Sequence, residues 1–213
     1  MPAHFVSNRD ESVPLFATPW MERLTHVHPA VPVVLYSPVI LYYAWRAAVS
    51  SGVLGMVAQV MVGVVCWSLV EYTLHRWVFH YEPRSTWGKR LHFLAHGVHH
   101  DYPRDSTRLV MPPSVSIPLA VVFRALFVSS AGGYADGLFA GFALGYVLYD
   151  TIHFATHHWP MRGRVGRALK RYHLTHHYRD DDLAFGVSSP LWDVVFRTLP
   201  RGAPGEDQSN RTS

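Results

Sequence analysis

The chain has 213 residues and a mass of 24.2 kDa, the size of one domain, which excludes a multidomain machine. Its single cysteine, Cys66, excludes an intramolecular disulfide and any cysteine-based zinc or iron-sulfur site. Hydrophobic residues make up 49% and charged residues only 16%, against roughly 25% charged in a soluble domain; the net charge of +4 comes with no nucleic-acid module, so lipid is the expected partner and nucleic acid is not.

The first segment, residues 1–31, mixes Arg9 with Asp10 and Glu11 and has no apolar run ending in a small-residue cleavage site. It reads as a cytosolic segment without a signal peptide. Residues 29–45 carry no charge, and residues 47–70 contain no Asp, Glu, Lys, Arg or His. Two apolar helices over 32–49 and 53–72 follow, each near the roughly 17–25 residues needed to span hydrocarbon, with Ser50, Ser51 and Gly52 as the turn. A second pair is expected over 113–131 and 134–152, joined by Gly132 and Gly133, with Arg124 and Asp136 inside it. Charges in hydrocarbon are costly, so these two must snorkel, pair or face a polar interior.

Two hairpins return the chain to its starting side, placing both termini and the central segment 73–111 together. Of the 19 Lys and Arg residues, all but Arg46 and Arg124 fall in segments assigned to that side, the cytosolic side by the positive-inside rule. The expected fold is an all-α, multi-pass integral membrane protein: four transmembrane helices under a cytosolic histidine-rich cap. Residues 32–200 form its domain, and the polar tail 201–213 is expected to be disordered.

Ten of the 15 histidines form four clusters: His75 and His80; His96, His99 and His100; His153 and His157; His173, His176 and His177. Helical positions i, i+3 and i+4 share a face, so each His-x-x-His-His motif is expected to converge on one point. His75 and His80 stand about 140° apart on a helix of 3.6 residues per turn, so this pair needs a bend or serves two metals. Because the chain crosses twice between the first two clusters and the last two, all ten can meet at the membrane surface. They divide economically into five per metal, leaving a sixth position open on each.

Imidazole accepts zinc, copper, iron or nickel. Zinc is confined to Lewis-acid or hydrolytic chemistry, whereas iron permits oxygen activation. Asp150, one turn before His153, is a candidate to hold a ligand's second nitrogen proton or a polar group of the substrate. Tyr149 is a candidate for the substrate mouth. Asp101 and Glu71 are weighed as supports for ligands or as cap residues. His92 and His158 stay outside the ligand set, and His4, His26 and His28 read as loop residues. The basic run from Arg162 to Arg171 reads as a surface helix attracted to anionic lipid, with an acidic electron donor as the alternative partner.

These motifs resemble the fatty acid hydroxylase branch of the membrane histidine-motif oxygenases (the sterol desaturase family), most closely the fatty acid 2-hydroxylases. The matching stretches run from Glu71 to His80, His96 to Pro103, Arg108 to Pro113, Gly145 to His153, Tyr172 to Tyr178 and Phe185 to Asp193. The resemblance implies that the ten histidines hold a dimetal centre, iron for activity with zinc as a possible bound metal. It also implies that O2 is used to hydroxylate C2 of a long acyl chain, free or within a sphingolipid. The chain has no His-Pro-Gly-Gly haem motif, since His28-Pro29 is followed by Ala30 and Val31, and no GxGxxG or CxxCH. No intrinsic haem is expected, and a separate donor, such as a cytochrome or a ferredoxin with its reductase, must supply electrons. The competing expectations are a carotenoid or sterol-type hydroxylase, a zinc-dependent lipid hydrolase and a metal transporter.

Overall fold

A computed structural model describes residues 5–200; His4 and the tail 201–213, with its expected disorder, lie outside the described residues. Every regular element among the described residues is helical: α1 (Pro19–Arg23), α2 (Val31–Leu74), α3 (Thr86–His92), α4 (Val98–Asp101), α5 (Pro113–Ala131), α6 (Ala135–His158), α7 (Arg164–Tyr178) and α8 (Leu191–Phe196). Two π-helical turns, His75–Phe79 and Phe93–Gly97, follow α2 and α3.

The apolar run of α2 breaks at Gly52, whose φ of 71° and ψ of 169° are open to glycine and strained for other residues. The two arms on either side fold back on each other. Tyr36 of the first arm and Trp67 of the second both meet Tyr146 of α6, with ring centroids 5.1 and 5.2 Å apart. Closer to the break, Tyr43 packs on Phe139 at 5.1 Å and Gln59 abuts Gly137. Positions that far apart in sequence reach one level of α6 only if the arms are antiparallel. A short 3₁₀ turn, Gly132–Tyr134, joins α5 and α6 into a second hairpin, with Phe123 and Phe142 centroids 4.4 Å apart. The expected turns at Gly52 and Gly132 are where the chain reverses, but α6 runs beyond the expected residue 152, through the third histidine cluster to His158.

The second arm of α2 and α6 approach backbone to backbone. Gly137, Gly141 and Gly145 repeat every four residues along α6, and a Cβ on Gly141 would fall 2.0 Å from the Val60 carbonyl oxygen. Small residues at this spacing let apolar helices pack closely where no hydrophobic drive separates them from lipid. The two charges inside the second hairpin pair: Asp136 binds Arg124 at 2.6 Å and Arg46, from the first arm of α2, at 2.8 Å. The Arg124 guanidinium also lies 4.7 Å from the Tyr43 ring centroid.

Two continuous apolar stretches, Val31–Phe79 and Pro113–His158, are long enough to cross a membrane, with mean hydropathies of 2.2 and 1.7 over their most apolar windows. Only 17% and 6% of those windows are buried in the protein. Core helices of a water-soluble protein would be covered; here Val34, Leu41, Val53, Leu54 and Val121 face outward.

Candidate metal centre

Two of the four histidine clusters stand where apolar helices end, and the other two lie on the short helical turns after α3 and on the basic helix α7. His75 closes α2 and enters the π turn, in which the His80 amide donates to the His75 carbonyl at 3.2 Å, an i to i+5 bond. The wider turn brings together a pair that an α-helix would hold apart. His153 and His157 lie on α6; His173, His176 and His177 on α7; His96 in the second π turn; and His99 and His100 on α4.

All ten predicted histidines form two groups of five. His75, His80, His96, His100 and His176 make the first, and His99, His153, His157, His173 and His177 the second. In each, one nitrogen per ring lies within 4.8 Å of all the others. The expected convergence of each His-x-x-His-His motif on one point does not hold. The i, i+4 pair goes to one group and the i+3 residue to the other, because positions i+3 and i+4 diverge by about 100° around the axis. The two motifs do this reciprocally, and the His100 and His177 rings stack at 4.4 Å across the boundary between the groups.

Nitrogen spacing fits metal coordination. With ligand bonds of about 2.0–2.1 Å, neighbouring corners of an octahedron stand about 2.9 Å apart. The Nε2–Nε2 distances are 3.1 Å for His75–His96, 2.9 Å for His96–His100, 2.9 Å for His99–His153 and 2.8 Å for His157–His173. The Nε2 atoms of His80, His176 and His177 are buried without a protein partner among the described residues. So many inward lone pairs without donors suit cations, not one another. Tautomers are fixed at two positions: His75 Nδ1 donates to the Phe185 carbonyl and His176 Nδ1 to the Leu183 carbonyl at 2.7 Å, leaving each Nε2 free to ligate.

Burial first, and repulsion from His176 second, pushes the His80 imidazole down to about 3. Burial and neighbouring imidazoles likewise hold His96, His99, His100, His173 and His177 well below the usual histidine range. The rings are therefore neutral, as ligation requires.

Two chambers reach the histidines. One, of about 240 Å³, touches His96, His99 and His153 and is walled mainly by apolar side chains, among them Leu94, Val98, Val110 and Val115, with Thr25, Arg108, Tyr149 and Asp150 as its other polar features. The other, about 520 Å³, meets His80, His96, His100, His176 and His177 and is lined largely by polar residues, including Glu82 and Asp181.

The Tyr149 ring stacks on that of His153, with centroids 5.7 Å apart. Asp150 is buried, but its carboxylate accepts from the Met111 amide at 3.3 Å rather than from a ligand's nitrogen; the His153 Nδ1 has no protein partner. His92 and His158 lie outside both groups, the latter stacked on Phe154 at 4.5 Å. Glu71 is weighed from the sequence as a support for ligands, whereas the roles of Asp193 and Arg108 are not read from the motifs. Glu71 and Asp193 accept the amides of residues 185–188. Arg108 ties the N-terminal segment over the apolar chamber, binding Glu22, the Val13 carbonyl at 2.6 Å and Asp105 at 3.4 Å. A lone arginine among apolar residues with acids upstream was the available signal for that clamp.

Residues 60–198 match the family model described as fatty acid hydroxylase. The chain is 41% identical over 182 residues to a dihydroceramide fatty acyl 2-hydroxylase of Arabidopsis thaliana, covering 84% of this chain and 76% of that enzyme. It is also 41% identical over 196 residues to the ceramide very long chain fatty acid hydroxylase of Saccharomyces cerevisiae, of which the match spans 49%. To the human fatty acid 2-hydroxylase it is 39% identical over 148 residues, covering 68% of this chain and 40% of that one. The solved structure of full-length scs7p, in which only the hydroxylase domain is visible, superposes with a TM-score of 0.81 at 40% identity over 85% of this chain and 70% of that one. With paired five-histidine groups at the ends of apolar helices and a family match over most of its length, the chain belongs to the fatty acid hydroxylase family.

Proposed function

We propose that the protein is a membrane dimetal monooxygenase that hydroxylates C2 of a long acyl chain held in amide linkage, as in a ceramide, with O2 and electrons from a separate donor protein. The observation that carries this is the pair of five-imidazole groups opening onto an apolar chamber. The balance is R–H + O2 + 2 electrons + 2 protons giving R–OH + H2O. Iron, when bound by these residues, supplies the oxygen chemistry that attack on an unactivated C–H bond requires; zinc, with no redox chemistry, would be a substitute ligand partner only.

The protein's part is positioning. An acyl chain offers many similar methylenes, so selectivity for C2 comes from fixing the polar end at a set distance from the histidines while apolar walls hold the tail. Tyr149 and Asp150 stand at that polar end, beside His153. The charge of the chamber favours an amide over a free acid. Its one arginine, Arg108, is already engaged by Glu22 and Asp105, while Asp150 offers an acceptor. A carboxylate substrate would meet no unengaged side-chain cation among the residues lining the chamber, whereas an amide N–H or a sphingoid hydroxyl would find a partner. Several relatives carry ceramide substrates in their names, and others are named for fatty acids.

In this account the arms of α2 and the helices α5 and α6 are four transmembrane spans of a domain covering 32–200, with residues 1–31 and the histidine cap on the cytosolic side. The outward apolar side chains support the spans, and the pairing of Arg46 and Arg124 with Asp136 at the hairpin turns explains how the two exceptional cations sit at the other end. The donor, a cytochrome or a ferredoxin with its reductase, approaches from the cytosol.

The test is reconstitution in liposomes with iron, O2 and a reducing system, offering dihydroceramide and the free fatty acid of equal chain length in competition. The expected product is the 2-hydroxyacyl amide. Preferential hydroxylation of the free acid would overturn the amide assignment, and acyl turnover without O2 would point to a hydrolase.

A further inference from the structure

The two histidine groups have unequal support. Residues 183–188 run beside the first group only, and their backbone is organised by two buried carboxylates. Asp193, fully buried, accepts the amides of Phe185 at 2.9 Å and Gly186 at 2.8 Å. Glu71 accepts the amides of Val187 at 2.8 Å and Ser188 at 2.9 Å, and the Ser188 hydroxyl at 2.5 Å. Four consecutive amides thus point into carboxylates, turning carbonyls of the same segment toward the histidines. The Leu183 carbonyl takes the Nδ1 proton of His176, and the Phe185 carbonyl that of His75. Both rings belong to the first group. In the second group the Nδ1 atoms of His153, His157, His173 and His177 are buried with no protein partner among the described residues.

A carbonyl on the outer nitrogen fixes a ligand's tautomer and orientation and raises its basicity, and losing such a partner costs about 10–100-fold in metal affinity. We infer that the two metal positions are inequivalent: the group containing His75 and His176 holds its metal more tightly, and Glu71 and Asp193 are positioning residues for that metal alone, acting through the 183–188 segment. This rests on the metal-centre reading but not on any choice of substrate.

The experiment loads the detergent-solubilised full chain with zinc, measures zinc per chain at time zero, and follows its release to a chelator. Two zinc ions per chain support the metal-centre reading, and none would overturn it together with the inference. The inference expects two release phases of one zinc each in the wild type. Glu71→Gln and Asp193→Asn should speed the slow phase about 10–100-fold and leave the fast phase alone. His173→Ala should retain only the slowly released zinc, and His75→Ala only the fast one. A single phase in the wild type, or equal acceleration of both phases by the carboxylate variants, would overturn the inference. Should those variants fail to fold, Ser188→Ala, which removes one hydrogen bond to Glu71, carries the same test: its slow phase alone must accelerate, and an unchanged profile counts against the assignment.

Discussion

At the residue scale, spacing and burial bring ten histidines into two groups and leave the other described histidines outside them. His176 is fully buried, its Nδ1 tied to Leu183 and its Nε2 turned toward four other rings. His176→Ala is expected to reduce hydroxylation to background and lower bound metal while membrane insertion stays normal; wild-type turnover would remove it from the site. His158→Ala, outside both groups, should keep most activity, measured in the same assay. Met111 lines both the apolar chamber and a smaller cavity of about 30 Å³ between Tyr36, Trp67 and Tyr146. Its truncation to Ala should join the two and shift the product profile toward longer acyl chains, an outcome readable by mass spectrometry. The ten ligand candidates were legible because imidazole at these spacings has few other uses in an apolar chain. Their division was not legible, since helical-wheel convergence cannot say on which side of a boundary the i+3 ring falls. Nor was the direction of the Asp150 carboxylate, which depends on the Met111 amide arriving from 39 residues away.

At the element scale, the first hairpin was visible in two charge-free runs and both hairpins in their glycine turns, but the far end of α6 was not, since the helix continues past residue 152 to His158. The histidine pair five residues apart signalled a departure from α geometry, and the π turn at His75–Phe79 supplies it. What the sequence hid was the close approach of α2 and α6, although Gly137, Gly141 and Gly145 carry its spacing. Gly141→Leu places a side chain against the Val60 backbone and should destabilise the bundle by about 1–3 kcal/mol, as overpacking does. A lowered melting temperature in detergent is the readout, and wild-type melting would show that the two backbones do not touch there. The clamp by Arg108 spans elements that no local pattern connects, so it becomes visible only once residues 13–25 are seen against residues 105–108.

At the scale of the whole molecule, the buried imidazoles of the cap couple stability to protons. An unfolded histidine takes up its proton near pH 6.5, while burial and mutual repulsion keep the folded rings from doing so until far lower pH, about 3 for His80. Between those limits the unfolded chain binds more protons, so the metal-free protein should lose stability steadily as pH falls below about 6.5. Thermal melts of the metal-stripped chain across that window check the sign, and a flat profile would show that the rings are solvated. The same assembly joins an apolar bundle, a metal-binding cap and a chamber between them, which is what oxidising a lipid near its polar end demands. The most direct test of that claim is to supply ¹⁸O2 to the native host carrying or lacking this gene and locate the label in its acyl lipids by fragmentation. The account predicts one ¹⁸O at C2 of amide-linked acyl chains, lost on deletion and restored by the wild type but not by His176→Ala. Acyl lipids labelled equally with and without the gene, or label restored only in a carotenoid or sterol-like lipid, would contradict it.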